Sequence, residues 1–186
     1  MNSDEIIITS LVRYGEADCI ARVFTREEGR MSVFCRNAFK PSKKRGSVLQ
    51  APARGRMTFK AKSSGMATMS ELDLGAYTHA LASNLRGFAL AAYATELIEI
   101  FVPEHDSVPQ LFDLLDNFLK QAATAELSTG DIRAFEFKLL ELSGLLSEQE
   151  ASVNDLREMA TVFVRHLKQH KQTPLKSLAF FKQVIS

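Results

Sequence analysis

The apolar residues of this 186-residue chain change their period at Gly75, and few architectures accommodate both halves. Before Gly75 they alternate with polar residues or come in short runs bounded by glycine, proline and serine, the pattern of short strands. From Thr78 onward they recur three and four residues apart, the pattern of helices. Strands gathered ahead of helices, rather than alternating with them, predict an α+β chain. The expected division is a β domain over residues 1–75 and an all-α domain over 76–186.

Five runs are read as strands: Ile6 to Val12, Cys19 to Phe24, Arg30 to Asn37, Arg54 to Lys62 and Met66 to Leu74. Arg26-Glu27-Glu28-Gly29 supplies a glycine-bearing turn between the second and third, which predicts a hairpin, with Arg30 at its turn. The fourth run alternates most cleanly. Arg54, Arg56, Thr58, Lys60 and Lys62 fall on one parity, and Gly55, Met57, Phe59 and Ala61 on the other, so one face is cationic and the other faces a core. Five short strands joined by hairpins fit a small barrel; the OB-fold is the first expectation and an SH3-like barrel its competitor. In the second half, Thr78 to Phe101 reads as one helix, apolar on two sides and ended by Pro103, hence the buried spine of its domain. Further helices are expected over Val108 to Ala123 (capped by Ser107), Ile132 to Leu142 (capped by Asp131), about Ser152 to Lys171, and after Pro174.

A net charge of +1 conceals two halves of opposite sign. Residues 1–70 hold 13 Lys and Arg against 6 Asp and Glu; residues 71–186 hold 10 against 16. Ten of the cations lie between Arg30 and Lys62, a stretch without an acid. Such a surface suits a polyanion. The candidate phosphate contacts are Arg36, Lys40, Lys43, Lys44, Arg45, Arg54, Arg56 and Lys60, with Phe39 as the best candidate for stacking on a base. Phe59, alternating against the cations, is expected in the core, and Phe34 in either place.

Other chemistries find little footing. Cys19 and Cys35 have no Cys-x-x-Cys pairing and read as core thiols of a reducing cytosol, so no metal or other cofactor is expected. His166 and His170 stand four apart on a helix, but Arg165, Lys168 and Lys171 beside them disfavour a cation; they read as complements to a helix C-terminus. Nucleophile-elbow, zincin and phosphate-loop patterns do not occur, so the expectation is a non-enzyme. The start of the chain does not read as a signal peptide, and its most apolar segment, Leu85 to Val102, is too charged and short to span a bilayer.

The sequence also resembles the RecO family of bacterial recombination-repair mediators. The resemblance lies in Leu11-Val12-Arg13-Tyr14-Gly15-Glu16-Ala17-Asp18, in Val23-Phe24-Thr25-Arg26-Glu27-Glu28-Gly29-Arg30 and in Lys43-Lys44-Arg45-Gly46-Ser47-Val48-Leu49-Gln50. It continues through Arg133-Ala134-Phe135-Glu136-Phe137-Lys138-Leu139-Leu140, Ser143-Gly144-Leu145 and Pro174-Leu175-Lys176-Ser177. It implies an N-terminal OB-fold, a helical second domain, binding of single- and double-stranded DNA, and annealing of complementary strands. It further implies help in loading RecA onto DNA coated by single-strand-binding protein, RecR as partner, and a cytoplasmic, nucleoid-associated location. Contact with the acidic tail of single-strand-binding protein would need a basic groove; Arg133, Lys138 and Lys176, near Phe135 and Phe137, are the pieces available.

Two departures stand out. Many members carry a cysteine-rich zinc insertion where this chain has only Leu146 to Asn154, without cysteine. Where the family often has a glycine followed by basic residues, the chain reads Asn37-Ala38-Phe39-Lys40, and asparagine can keep a left-handed turn there. A protein-interaction adaptor, whose basic barrel takes an acidic protein tail instead of DNA, is the alternative reading.

Overall fold

A computed structural model describes residues 2–40, 49–60, 65–75, 77–171, 174–177, 180 and 183. Five strands come first: β1 (Asn2–Tyr14), β2 (Asp18–Thr25), β3 (Gly29–Cys35), β4 (Ala53–Lys60) and β5 (Ala67–Leu74). They close a barrel in the order β1-β2-β3-β5-β4, with β4 returning to β1. All neighbours are antiparallel except β3 and β5, which run parallel through Val33–Ala67 and Phe34–Thr68. This is the OB-like barrel expected from the strand pattern, followed by helices.

β1 runs longer than its apolar residues suggest because it serves two neighbours. Its first half pairs with β4 and its second with β2. Buried Asp4 is tolerated in that strand because its carboxylate accepts the N–H groups of Glu5 (2.7 Å) and Glu27 (3.0 Å), fastening the β2–β3 turn. A bulge between Ile8 and Ser10 then reverses the strand's parity. Ile6 and Ile8 point into the barrel; beyond the bulge Leu11 packs on that core, while Val12 and Tyr14 face solvent, 47% and 59% exposed.

Helices follow: α1 (Tyr77–Ser83), α2 (Leu85–Phe101), α3 (Pro109–Thr124), α4 (Thr129–Leu142), α5 (Glu148–Ala151) and α6 (Leu156–His170). The expected single helix over 78–101 is broken at Asn84, whose side chain accepts from the N–H of Gly87 at 3.1 Å and restarts the chain as α2. Gly87 is needed because α3 lies against it: a Cβ there would stand 2.2 Å from the Ala122 carbonyl oxygen. α2 buries residues around most of its surface and is the spine of the helical layer.

Two caps and one helix start differ from expectation. Ser107 does not cap α3; its hydroxyl donates to the Arg26 carbonyl (3.4 Å), and α3 starts from Val108 without a side-chain cap. Ser128 caps α4, with Asp131 returning the bond from the third helical position as a capping box. Asp155 caps α6, so that helix starts later than Ser152.

Two cores result. One fills the barrel; the other joins the helices to the barrel's outer wall through Ile7 and Phe24, with the Phe24 ring 5.8 Å from that of Phe112.

Candidate nucleic-acid interface

The barrel's cations divide into two sets. Those near the helices are spent on docking. Arg22 reaches Glu99 at 3.2 Å, and the same carboxylate accepts the hydroxyls of Thr9 (2.6 Å) and Ser10 (2.7 Å), brought together by the β1 bulge. Arg26 makes a two-pronged pair with Asp113 of α3. Arg30, half-buried, donates to the Val102 carbonyl, and burial lowers its pKa. Its backbone carbonyl accepts from His105 at 2.8 Å, so Arg30 is a strand residue at the joint with the helices, not a turn residue.

Arg54 belongs to this docking set, which corrects its assignment to an open cationic face. Its guanidinium binds Glu5 at 2.6 Å and Asp116 of α3 at 3.3 Å, and Tyr77 donates to the same Asp116 oxygen. Burial alone would lower its pKa, but the hydrogen bond to Glu5 and the charge of Asp116 raise it. Glu5 responds in kind, its carboxyl held low chiefly by Arg54.

The second set is exposed to solvent. Arg56 is 62% exposed along its side chain, with Glu5 no closer than 3.8 Å, and Lys60 is exposed further along β4. Gly55, Met57 and Phe59 are buried between them, as the alternation requires. Arg36 is exposed past the end of β3, and Lys40 is exposed in the turn that follows. That turn is held by Asn37 in a left-handed conformation (φ 50), with its N–H on Asp18 at 2.8 Å. Lys43, Lys44, Arg45 and Lys62 lie outside the described residues.

The aromatic assignments shift. Phe39 is half-buried against the barrel core, with the Arg13 guanidinium 4.6 Å above its ring, so one face is already occupied. Phe34 instead stands outside the barrel, edge-to-face with Tyr14 at 5.6 Å. Val12, Ile20 and Phe34 are register partners across β1, β2 and β3, forming an apolar row on the outer surface. Sequence reasoning left Phe34 open and passed over Arg13, Val12 and Tyr14, because the bulge that turns Val12 and Tyr14 outward has no composition signal.

Of the three cations expected to form an acidic-tail groove, two are paired with acids through their side chains and the third meets one only through its backbone. Arg133 pairs with buried Glu136, which also accepts from Tyr93 at 2.5 Å; Lys138 pairs with Glu141 at 2.8 Å; the N–H of Lys176 donates to Glu96 at 2.8 Å. Phe135 is core, its ring 4.3 Å from Phe118, and cannot floor such a groove. His166 lies 3.2 Å from Glu150, and His170 bonds the His166 carbonyl at 2.9 Å. Among the described residues no group of three or more His, Cys, Asp or Glu side chains could hold a metal ion. No described helix is long and apolar enough to cross a membrane.

Comparison with known proteins completes the description of the chain. Residues 1–77 match the family model for the N-terminal part of recombination protein O, and residues 82–148 match that for its C-terminal part. The DNA repair protein RecO of Pelobacter propionicus is 30% identical over 77% of this chain and 58% of its own length. Those of Myxococcus xanthus (29%, over 77% and 59%) and Syntrophotalea carbinolica (32%, over 76% and 55%) are similar. The chain thus spans a little over half the length of these curated relatives. With both halves matched in order, on a barrel followed by helices, the chain belongs to the RecO family.

Proposed function

We propose that this chain is a non-enzymatic DNA-binding mediator of recombinational repair. The observation that carries the reading is the outward surface of the barrel. Exposed Arg56 and Lys60 on β4, with Arg36 and Lys40 beyond β3, offer charge for phosphates. The Tyr14–Phe34 pair and the row Val12–Ile20–Phe34 offer ring edges and apolar surface for unstacked bases. In OB barrels the face of strands 2 and 3 is the usual place for single-stranded nucleic acid. Lys43, Lys44 and Arg45 extend the cationic surface on sequence grounds. The relatives' name, DNA repair protein, supports the pathway. Binding of both single- and double-stranded DNA, annealing of complementary strands, and loading of RecA onto DNA coated by single-strand-binding protein, with RecR as partner, complete the proposal.

A salt titration tests it. Single-stranded oligonucleotides should bind with log affinity falling against log salt at a slope of about −3 to −5, from roughly 4–7 phosphate contacts at about −0.7 each. Replacing Arg36, Arg56 and Lys60 by glutamate should shallow that slope by about 2 and weaken binding about 100-fold for every sequence alike. Absence of binding by the unaltered protein at low salt defeats the DNA reading and favours the adaptor.

A further inference from the structure

Between the barrel and the helices lies a cleft of about 830 Å³, reached from the aromatic face along one strand. After the bulge in β1, Tyr14, Val12 and Ser10 share the outward parity: Tyr14 meets Phe34, Val12 is exposed at the cleft's rim, and Ser10 lies inside it. Arg22, the register partner of Ser10, stands on the barrel side; Lys171 and Lys176 stand on the helical side.

The two carboxylates that line the cleft are already committed. Glu99 accepts from Thr9 and Ser10 on one oxygen and from Arg22 on the other. Glu96 accepts the N–H groups of Lys176 (2.8 Å) and Ser177 (2.9 Å) and the Ser177 hydroxyl (2.5 Å), anchoring the start of the segment after Pro174. The ammonium groups of Lys171 and Lys176 form no ion pair within 4 Å among the described residues, whereas each of those carboxylates already accepts three hydrogen bonds from other groups. Burial lowers the Lys171 pKa, and the charge of Glu96 opposes that shift without cancelling it.

We propose that this cleft continues the nucleic-acid path. A single strand whose bases rest on Tyr14 and Phe34 runs along β1 over Val12 and enters the cleft, where Lys171 and Lys176 receive its phosphates. The inference rests on the DNA reading of the barrel and adds the helical half to the binding surface. Continuity along one strand face favours nucleic acid over an acidic peptide, because rings at one end and cations at the other match a strand's bases and phosphates.

Oligothymidylates of about 8 and about 24 nucleotides, within and beyond the usual site of one barrel, separate the possibilities. With fluorescence anisotropy on the full chain, the double variant Lys171→Glu/Lys176→Glu should bind the short strand as the unaltered protein does. It should bind the long strand about tenfold more weakly, with a salt slope shallower by about 1.4, two contacts at about 0.7 each. Lys171→Gln/Lys176→Gln should shift both in the same direction by less, with an unchanged circular dichroism spectrum. Unaltered binding at both lengths overturns the path, as does an equal loss at both, which marks diffuse charge. Retained DNA binding with lost affinity for a glutamate-rich peptide also overturns it, in favour of a protein ligand. Failure of the unaltered protein to bind either strand defeats the DNA reading itself, a result distinct from all of these.

Discussion

Arg54 and Arg56 leave β4 on the same side, two residues apart, and serve different ends. Arg54 is gripped by Glu5, by Asp116 and, through that aspartate, by Tyr77; Arg56 stands in solvent with only a distant view of Glu5. The same contrast divides the whole barrel. Arg22, Arg26, Arg30 and Arg54 fasten it to the acidic helical half, while Arg36, Lys40, Arg56 and Lys60 face outward. The opposite charges of the two halves are therefore partly an internal matter: each docking pair removes a cation from the surface open to a polyanion. Counting basic residues overstates that surface, and only their neighbours across the fold tell the two sets apart.

Glycine repeats the contrast and offers the largest expected effect. Gly15 (φ 66) and Gly29 (φ 72) both close hairpins with left-handed backbone. A Cβ on Gly15 meets nothing within 4 Å, whereas one on Gly29 would stand 2.4 Å from the Asp106 carbonyl oxygen at the docked end. Gly15→Ala should cost about 1 kcal/mol, the strain of the left-handed residue alone. Gly29→Ala should cost about 3 kcal/mol, because the backbone of the 103–107 loop must also move. Urea denaturation followed by circular dichroism gives both numbers. Equal losses would mean that the docked turn is free to shift, and that the barrel and helices are less rigidly joined than their hydrogen bonds suggest.

The arginines should differ by a little less. Arg54→Ala leaves Glu5, Asp116 and Tyr77 partly buried around a missing charge, and should lower stability by about 2 kcal/mol. Arg56→Ala should change it by less than about 0.5 kcal/mol, as for other exposed pairs. In DNA binding the order reverses: Arg56→Ala weakens it, and Arg54→Ala leaves it unchanged at a temperature where the protein is folded. A variant pair that moved both properties together would erase the distinction between the two sets.

How much of this was legible beforehand follows from what the period of a sequence encodes. Alternation over 54–60 placed Met57 and Phe59 inside and the cations outside because every second side chain crosses the sheet. It could not separate Arg54 from Arg56, since their difference lies in Asp116, more than fifty residues away on α3. The break at Asn84 was hidden for a related reason: residues 78–101 have uniform helical composition, and what stops the helix is a side-chain cap beside the close approach of α3 to Gly87. Phe34 was left open between core and surface, and the outward turn of its neighbours Val12 and Tyr14 was missed because a bulge at Thr9 reverses the parity on which the reading of β1 depends. The asparagine turn, by contrast, was legible at Asn37, where a local backbone preference sufficed.

The smallest expected effect tests whether charge, and not merely shape, holds Arg54. The Glu5 carboxyl is held below its ordinary 4.5, first by the hydrogen bond from Arg54. A carboxyl depressed in the folded state stabilises the protein above its unfolded pKa, and that contribution is lost as pH falls through the folded value. Glu5 is partly exposed, so after screening by water the contribution should stay under about 1 kcal/mol. Stability measured between about pH 6 and pH 3 should therefore fall more steeply in the unaltered protein than in Glu5→Gln, with the two curves converging at the acid end. Arg54→Ala should flatten the same part of the curve, because it removes the cause of the depression, whereas Arg56→Ala, 3.8 Å away, should leave most of it in place. Parallel curves for the unaltered protein and Glu5→Gln would assign the hold on Arg54 to Asp116 alone, leaving Thr9 and Ser10, through Glu99, as the share of β1 in the docking.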